Sequence, residues 1–237
     1  MPSLLGVRAL TPGSPNSDLL GTAMPKPPVG TDPSLVPVED VAGLPRVLLI
    51  GDSIAMGYTL PVRANLHGRA NVHRPPENCG DTGRGLQRLE AWLGTDRWDV
   101  IHFNFGLHDL KYLDAQGNYV APAQGKVVSD LQHYETNLRE LVERLKRTGA
   151  MLIFATTTPV PGGTLARIEH AEIAYNAVAR RVMEESGVAI NDLHALARAG
   201  QGEIQRPKDV HFTEAGYGRL GEGVTVSVAA TLPPVQR

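Results

Sequence analysis

The chain has 237 residues, with 23 Lys and Arg against 25 Asp and Glu, for a formal net charge of −2. This length supports one substantial hydrophobic core, and the near-neutral charge disfavours nucleic acid, whose partners present a basic face. No apolar stretch reaches the roughly 18–20 residues that span a bilayer. The single cysteine, Cys79, excludes an internal disulfide and a cysteine-rich metal site. We therefore expect a globular protein without metal or cofactor, and the sequence leaves its oligomeric state open.

Residues 1–45 differ in composition from the rest of the chain. They hold nine of the 18 prolines and no Phe, Trp or Tyr, so they cannot readily repay the entropy of ordering by burying a core. We expect a flexible or surface-docked arm at 1–45, followed by one domain at 46–237. Because the first residues lack the long apolar segment and cleavage site of a signal peptide, the sequence favours the cytoplasm, with secretion as the alternative.

From residue 46 onward, short apolar runs alternate with helical periods. The expected strands are, in chain order, 47–50, a weaker one at 70–73, 98–105, 150–156 and 188–191. The expected helices are 86–93, 130–147 with Ser129 as its N-cap, 168–186 and 213–230. Alternation of this kind predicts an α/β fold with a parallel sheet covered on both faces. In such a sheet the site lies beyond the carboxyl ends of the strands.

Polar residues and glycines follow several of these strands. Ser53 comes directly after the first strand, where its hydroxyl can attack a carbonyl while its own amide faces the developing oxyanion; alternatively it only caps a helix. Gly80 lets a backbone amide approach a substrate closely, or is an ordinary turn glycine. His211 precedes the last helix, and its loop lets it point into a cleft, or it is an ordinary surface histidine. Together these parts predict an acyl-transfer site.

Four sequence blocks carry a resemblance to a known family. They are Gly51-Asp52-Ser53, Cys79-Gly80-Asp81-Thr82, Gly106-Leu107-His108-Asp109 and Asp209-Val210-His211. Their order and spacing resemble those of the SGNH (GDSL-type) hydrolases. The resemblance implies a flavodoxin-like, three-layer α/β/α sandwich with a five-stranded parallel sheet. It also implies an esterase with Ser53 as nucleophile, His211 as base, and the amides of Ser53 and Gly80 in the oxyanion hole.

The third block departs from the family pattern. Where the family has an Asn that donates to the oxyanion, this chain has His108. A neutral imidazole can also donate one N–H to an oxyanion, so we expect His108 to replace that donor. Asp52, Asp109 and Asn104 are expected to support the site, Asp109 by holding the loop.

The acid of the family pattern is also displaced. Three residues before His211 stands Lys208, which cannot accept a hydrogen bond from imidazole, whereas Asp209 lies two residues before. Asp209 is the favoured partner of His211, and a Ser–His dyad is the alternative. Asp192 and Glu203 are more remote candidates.

The loops after the strands are expected to form the pocket walls, at 58–63, 110–125 and 157–170. They contain polar residues such as Arg63, Lys111, Arg167 and His170 and few large apolar ones, whereas long acyl chains need a broad apolar trough. The sequence therefore predicts hydrolysis of short, acetyl-type esters, with acetylated carbohydrate as the preferred substrate. The alternatives are a thioesterase, an acyltransferase, or a binding module without turnover that recognises glycan or protein.

Overall fold

The computed structural model describes residues 32–232; expectations for residues 1–31 and 233–237 lie outside the described residues. Seven strands are present there: β1 Arg46–Ile50, β2 Asn71–His73, β3 Val100–Phe103, β4 Tyr112–Leu113, β5 Lys126–Val127, β6 Met151–Ala155 and β7 Ala189–Asn191. Five of them form one parallel sheet in the order β2-β1-β3-β6-β7, and β4 and β5 form a separate antiparallel pair. The central strands read as continuous apolar runs because helices cover both faces.

Helices connect the strands and cover the sheet. Their bounds are α1 Ser53–Asn65, α2 Thr82–Leu93, α3 Leu131–Lys146, α4 Glu172–Ser186, α5 Leu193–Ala199, α6 Gln201–Ile204 and α7 Glu214–Ala229. Helix α1 packs against α7, while α2, α3 and α4 pack side by side in a second group. The three-layer α/β/α fold with a five-stranded, doubly wound parallel sheet is confirmed. Its topological switch point lies between β1 and β3, where such folds place their ligands.

One expected pocket wall is wrong. Residues 58–63 form part of α1, with Tyr58 and Val62 fully buried, although Pro61 lies inside the helix and disfavours it locally. Close packing against α7 overrides that preference. Gly221 of α7 lies so near to Pro61 that a Cβ on this glycine would be 2.6 Å from the Cβ of Pro61. Arg63 accordingly donates from Nε to the Val72 carbonyl at 3.0 Å rather than facing the cavity.

Three helix starts also differ from the sequence prediction. Helix α3 is capped by Asp130, not Ser129, because the Asp130 carboxylate accepts a hydrogen bond from the His133 amide at 2.9 Å. Helix α2 begins four residues early, at Thr82, since Asp81 caps it. Helix α4 begins only at Glu172 because His170 has a φ of +61°, which interrupts the helical path.

The described part of the arm, 32–45, lies against the sheet edge formed by β2. The Asn71 side chain accepts from the Val41 amide at 2.9 Å and donates to the Val41 carbonyl at 3.0 Å. Asp40 pairs with both Arg46 and His73. Across residues 32–232, none of the helices is both long enough and apolar enough to span a bilayer.

Candidate active site

Three of the predicted site residues form a continuous hydrogen-bonded chain. Ser53 Oγ lies 2.9 Å from His211 Nε2, and His211 Nδ1 lies 2.7 Å from Asp209 Oδ1. The same carboxylate oxygen accepts from the His211 backbone amide at 3.1 Å. With its Nδ1 proton donated to Asp209, the imidazole presents an unprotonated Nε2 to the serine hydroxyl. This is the geometry of an activated serine.

Helix packing brings Ser53 and His211 together across 158 residues of chain. Gly57 of α1 leaves room for Tyr217 of α7, because a Cβ at Gly57 would lie 2.1 Å from a ring carbon of Tyr217. Ser53 is the first residue of α1, and the loop carrying His211 leads directly into α7. The amide of Arg206 donates to the His211 carbonyl at 2.9 Å, which closes the turn. Close contact of the two helices therefore places the imidazole beside the hydroxyl.

The Asp209 carboxylate is held in its charged form. Partial burial opposes ionisation, but the hydrogen bonds donated by the His211 backbone and ring, with the nearby Arg206 charge, keep the pKa of Asp209 below its ordinary value. A charged carboxylate in this position orients the imidazole and stabilises the imidazolium that forms on proton transfer.

The amide of Ser53 is available to an oxyanion. As the first residue of α1 it has no partner within the helix, and no other acceptor for it occurs among the described residues. The buried Asp52 side chain caps the helix by accepting from the Ile54 amide at 2.9 Å, so it occupies the next amide rather than that of Ser53.

The second predicted amide donor is engaged by a side chain. Gly80 has a φ of +69°, which favours glycine, and its N–H donates to Asn78 Oδ1 at 3.0 Å. Asn78 lines the cavity that contains Ser53. An oxyanion bound by Gly80 therefore competes with the Asn78 side chain for this amide. Asn78 was not identified from the sequence, although an Asn two residues before a glycine is a signal for a side-chain-closed turn.

His108 also lines the cavity, and its ring contacts the Lys111 side chain. Lys111 Nζ lies 3.1 Å from His108 Nδ1. Because an ammonium group only donates, Nδ1 must accept, and the ring proton resides on Nε2. Burial lowers the pKa of His108, and Lys111 and Arg167 lower it further while Asp52 opposes them. His108 is therefore a neutral imidazole with an Nε2–H donor.

Asn104 and Asp109 lie beneath the site. Asn104 donates from Nδ2 to the Ala155 carbonyl at 2.8 Å, which links the ends of β3 and β6. Asp109 Oδ1 accepts from the Thr82 amide at 3.0 Å and from the Thr82 hydroxyl at 2.5 Å, which ties the His108 loop to the start of α2. Burial raises the pKa of Asp109 to about 7, against the hydrogen bonds from Thr82.

This raised pKa predicts a pH dependence of stability. Asp109 ionises at its ordinary value of 3.8 in the unfolded chain but near 7 in the folded protein. Between these values the folded state binds more protons, so the free energy of unfolding falls by about 1.4 kcal/mol for each pH increase of one. We expect Asp109→Asn, which cannot ionise, to flatten the decline in Tm between pH 5 and pH 8. Thermal melts across that range test this, with Asp114→Asn as control because the pKa of Asp114 is lowered rather than raised; equal slopes in the wild type and Asp109→Asn would contradict the prediction.

A cavity of about 480 Å³ opens over Ser53 and His211. The expected loop 157–170 contributes Thr164, Leu165 and Arg167, and the expected loop 110–125 contributes Tyr119. Lys208, which the sequence excluded as the acid, lines the cavity as well. Among the more remote acid candidates, Asp192 instead caps α5 and pairs with Arg180.

Comparison with known proteins identifies the family. The family profile described as GDSL-like Lipase/Acylhydrolase matches residues 49–219, which include Ser53, Gly80, His108 and His211. The chain belongs to this family. It is accordingly a carboxylic ester hydrolase of the SGNH type, as the four sequence blocks predicted. Among curated proteins, none matches the sequence.

Solved structures agree with the fold at low sequence identity. An acetyl xylan esterase named AlAXEase is 14% identical, with a TM-score of 0.63 over 77% of this chain and 99% of that one. The lipase/acylhydrolase from Enterococcus faecalis is 18% identical, with a TM-score of 0.64 over 82% and 100%. Axe2, an acetylxylan esterase from Geobacillus stearothermophilus, is 18% identical, with a TM-score of 0.62 over 78% and 94%. At these identities the likeness supports the fold alone.

Proposed function

We propose that this SGNH hydrolase cleaves short-chain esters, principally O-acetyl groups on carbohydrate, through an acyl-enzyme on Ser53. The observation that carries the proposal is the hydrogen-bonded chain from Ser53 Oγ through His211 to Asp209, all three of which line the cavity. It has the nucleophile, base and orienting acid of a serine hydrolase in contact before substrate binds.

The proposed reaction proceeds in two halves. His211 Nε2 takes the Ser53 hydroxyl proton as Oγ bonds to the ester carbonyl carbon, and the carbonyl electrons move onto oxygen. The tetrahedral intermediate collapses, and the sugar oxygen leaves with the proton from His211. Water then attacks the acyl-enzyme by the same proton transfers, releasing acetate and restoring Ser53.

Three donors are proposed to stabilise the oxyanion: the amides of Ser53 and Gly80 and the Nε2–H of His108. The Lys111 contact supports the role of His108, because it fixes the ring proton on Nε2, the nitrogen that is left to donate to the oxyanion. One such donor is typically worth about 2.7–4 kcal/mol of transition-state stabilisation. Lys111 is thus a positioning residue that acts through His108.

We expect Lys111→Met to lower kcat about tenfold, because both tautomers and orientations of His108 then become accessible. Steady-state kinetics measure the loss, and ¹⁵N chemical shifts of the His108 ring report its tautomer. The matched control is His108→Asn, which restores the family residue. In that background Lys111→Met should change kcat less than threefold, and a full tenfold loss there would contradict the role assigned to Lys111.

Asn78 gives a second prediction about the oxyanion hole. Asn78→Ala removes the acceptor that occupies the Gly80 amide and is expected to raise kcat severalfold. Asn78→Asp places a charged acceptor on the same amide, beside the developing negative charge, and is expected to lower kcat more than tenfold. Kinetics of the two variants on one acetyl ester test this; a reversed order would show that Gly80 does not serve as a donor.

The acyl group is proposed to be short because, among the described residues, only three aliphatic side chains line the cavity. Its aliphatic side chains are Leu107, Leu165 and Val210, and the remaining lining is largely polar or charged. The similar solved structures include two acetylxylan esterases, which is consistent with acetylated carbohydrate as the substrate.

A series of p-nitrophenyl esters and acetate release from acetylated xylan test this function. We expect kcat/KM to be greatest for the acetyl ester and to fall with chain length. A preference for chains of eight or more carbons would reject the short-chain assignment. Failure of a fluorophosphonate to label Ser53 would favour the binding module, whereas turnover only with a CoA thioester or an acceptor alcohol would favour the thioesterase or acyltransferase.

A further inference from the structure

Two cationic side chains line the cavity without an anionic partner among the described residues, and the proposed acyl transfer uses neither of them. Arg167 follows β6, and Lys208 lies in the turn before α7. Within residues 32–232 neither forms an ion pair with an Asp or Glu, although other arginines such as Arg84 and Arg139 do. Two carboxylates line the same cavity: Asp209 Oδ1 accepts from His211, and Asp52 Oδ1 accepts from the start of α1 while its Oδ2 has no partner among the described residues.

The contacts of Arg167 leave part of its guanidinium open. Nε donates to the Leu107 carbonyl at 3.0 Å and Nη1 to the Leu165 carbonyl at 3.4 Å, while Nη2 has no acceptor in the described chain. Burial lowers the pKa of Arg167, against the opposing influence of Tyr119, Asp52 and Asp209. Desolvating a cation costs free energy unless an anion or acceptor compensates it. A guanidinium held this way is suited to bind a carboxylate.

Lys208 stands at the edge of the same cavity in a strained conformation. Its φ of +57° is in the left-handed region, which residues other than glycine seldom adopt. Its stem lies over Gly163, where a Cβ would be 3.1 Å from Lys208 Cγ. Retained backbone strain of this kind is concentrated at functional sites, and here it places a second cation on the cavity that contains the nucleophile.

We propose that the ester substrate carries a carboxylate, as in an O-acetylated uronic acid, and that Arg167 and Lys208 bind this group while Ser53 attacks the acetyl ester. The inference rests on the proposed esterase function and deepens it. One open guanidinium nitrogen and one ammonium match a monoanion, whereas the charges of Asp52 and Asp209 would repel a dianionic phosphate.

The experiment compares two monoacetylated sugars, a methyl glucuronoside and a methyl glucoside, which differ only in the carboxylate. We expect kcat/KM to be about 10- to 100-fold higher for the uronate, the range of one or two charge-assisted hydrogen bonds, with the ratio falling as salt is added. Arg167→Met should bring the ratio close to one, and Arg167→Lys and Lys208→Met should each lower it partly. The matched control is Arg147→Met, at the end of α3 and outside the cavity, which should keep the wild-type ratio.

The outcomes separate this inference from the proposed function. A ratio near one in the wild type, with Ser53 still labelled by fluorophosphonate, overturns the inference and leaves the esterase in place. Equal losses of kcat/KM on both sugars in Arg167→Met would show that Arg167 has only a structural role. A higher kcat/KM for an acetylated sugar 6-phosphate than for the uronate would show that the bound group is a phosphate rather than a carboxylate. Either result rejects the inference. If no ester is cleaved, the proposed esterase function fails. Calorimetry with methyl glucuronoside then decides whether the protein binds a uronate through Arg167, and an absence of Arg167-dependent binding overturns the inference as well.

Discussion

Ser53→Ala is expected to lower kcat by at least about 10⁴-fold while leaving the fold intact. The change removes the oxygen that forms the acyl-enzyme, so hydrolysis can proceed only by direct attack of water within the remaining site, and serine hydrolases lose most of their rate enhancement on such a change. The hydroxyl lies 2.9 Å from His211 Nε2 and lines the cavity. Acetate release and fluorophosphonate labelling measure the two consequences, and both should disappear.

The control for this variant is Ser186→Ala, since Ser186 ends α4 and does not line the cavity. It should keep both labelling and turnover. Thermal unfolding of Ser53→Ala should remain close to that of the wild type, which separates loss of chemistry from loss of structure. Wild-type turnover by Ser53→Ala would reject the acyl-enzyme mechanism.

Asp209→Asn is expected to lower kcat by about 10³- to 10⁴-fold. The amide can still contact His211 Nδ1, but it cannot favour the tautomer with a proton on Nδ1 or stabilise an imidazolium as the charged carboxylate does, and a comparable change in other triads costs about 10⁴-fold. The present contact is 2.7 Å long. A loss below tenfold would show that the site works as a Ser–His dyad.

The chain provides a matched control for this second variant. Asp130 Oδ1 lies 2.8 Å from His133 Nδ1, in an exposed pair that resembles the Asp209–His211 contact but lies outside the cavity. Asp130→Asn should leave kcat unchanged. A similar loss in both variants would indicate a general effect of removing an acidic residue rather than a specific role for Asp209.

Local sequence was sufficient for the sheet and for much of the site. The runs around Val47, Ile101 and Ile153 are apolar throughout or nearly so, as is typical of strands buried on both faces, so their existence and order could be predicted. Helix starts were less predictable because caps compete: Ser129 and Asp130 are both capping residues, and the geometry of the α3 amides selects the second. Residues 58–63, which include Pro61, were predicted to form a loop, yet contact with α7 keeps that segment helical.

The sequence by itself determined the fold class and indicated Ser53 and His211 as the candidate nucleophile and base, because these two residues lie in motifs whose spacing and strand-end positions depend only on local residues. Tertiary structure decided which groups meet. The turn at Lys208 directs the Asp209 carboxylate onto His211, the Lys111 contact fixes the proton of His108, and the path after β6 delivers Arg167 to the cavity. Side-chain directions in loops follow from backbone dihedrals and distant packing, and neither is encoded in the residue pattern of the loop alone.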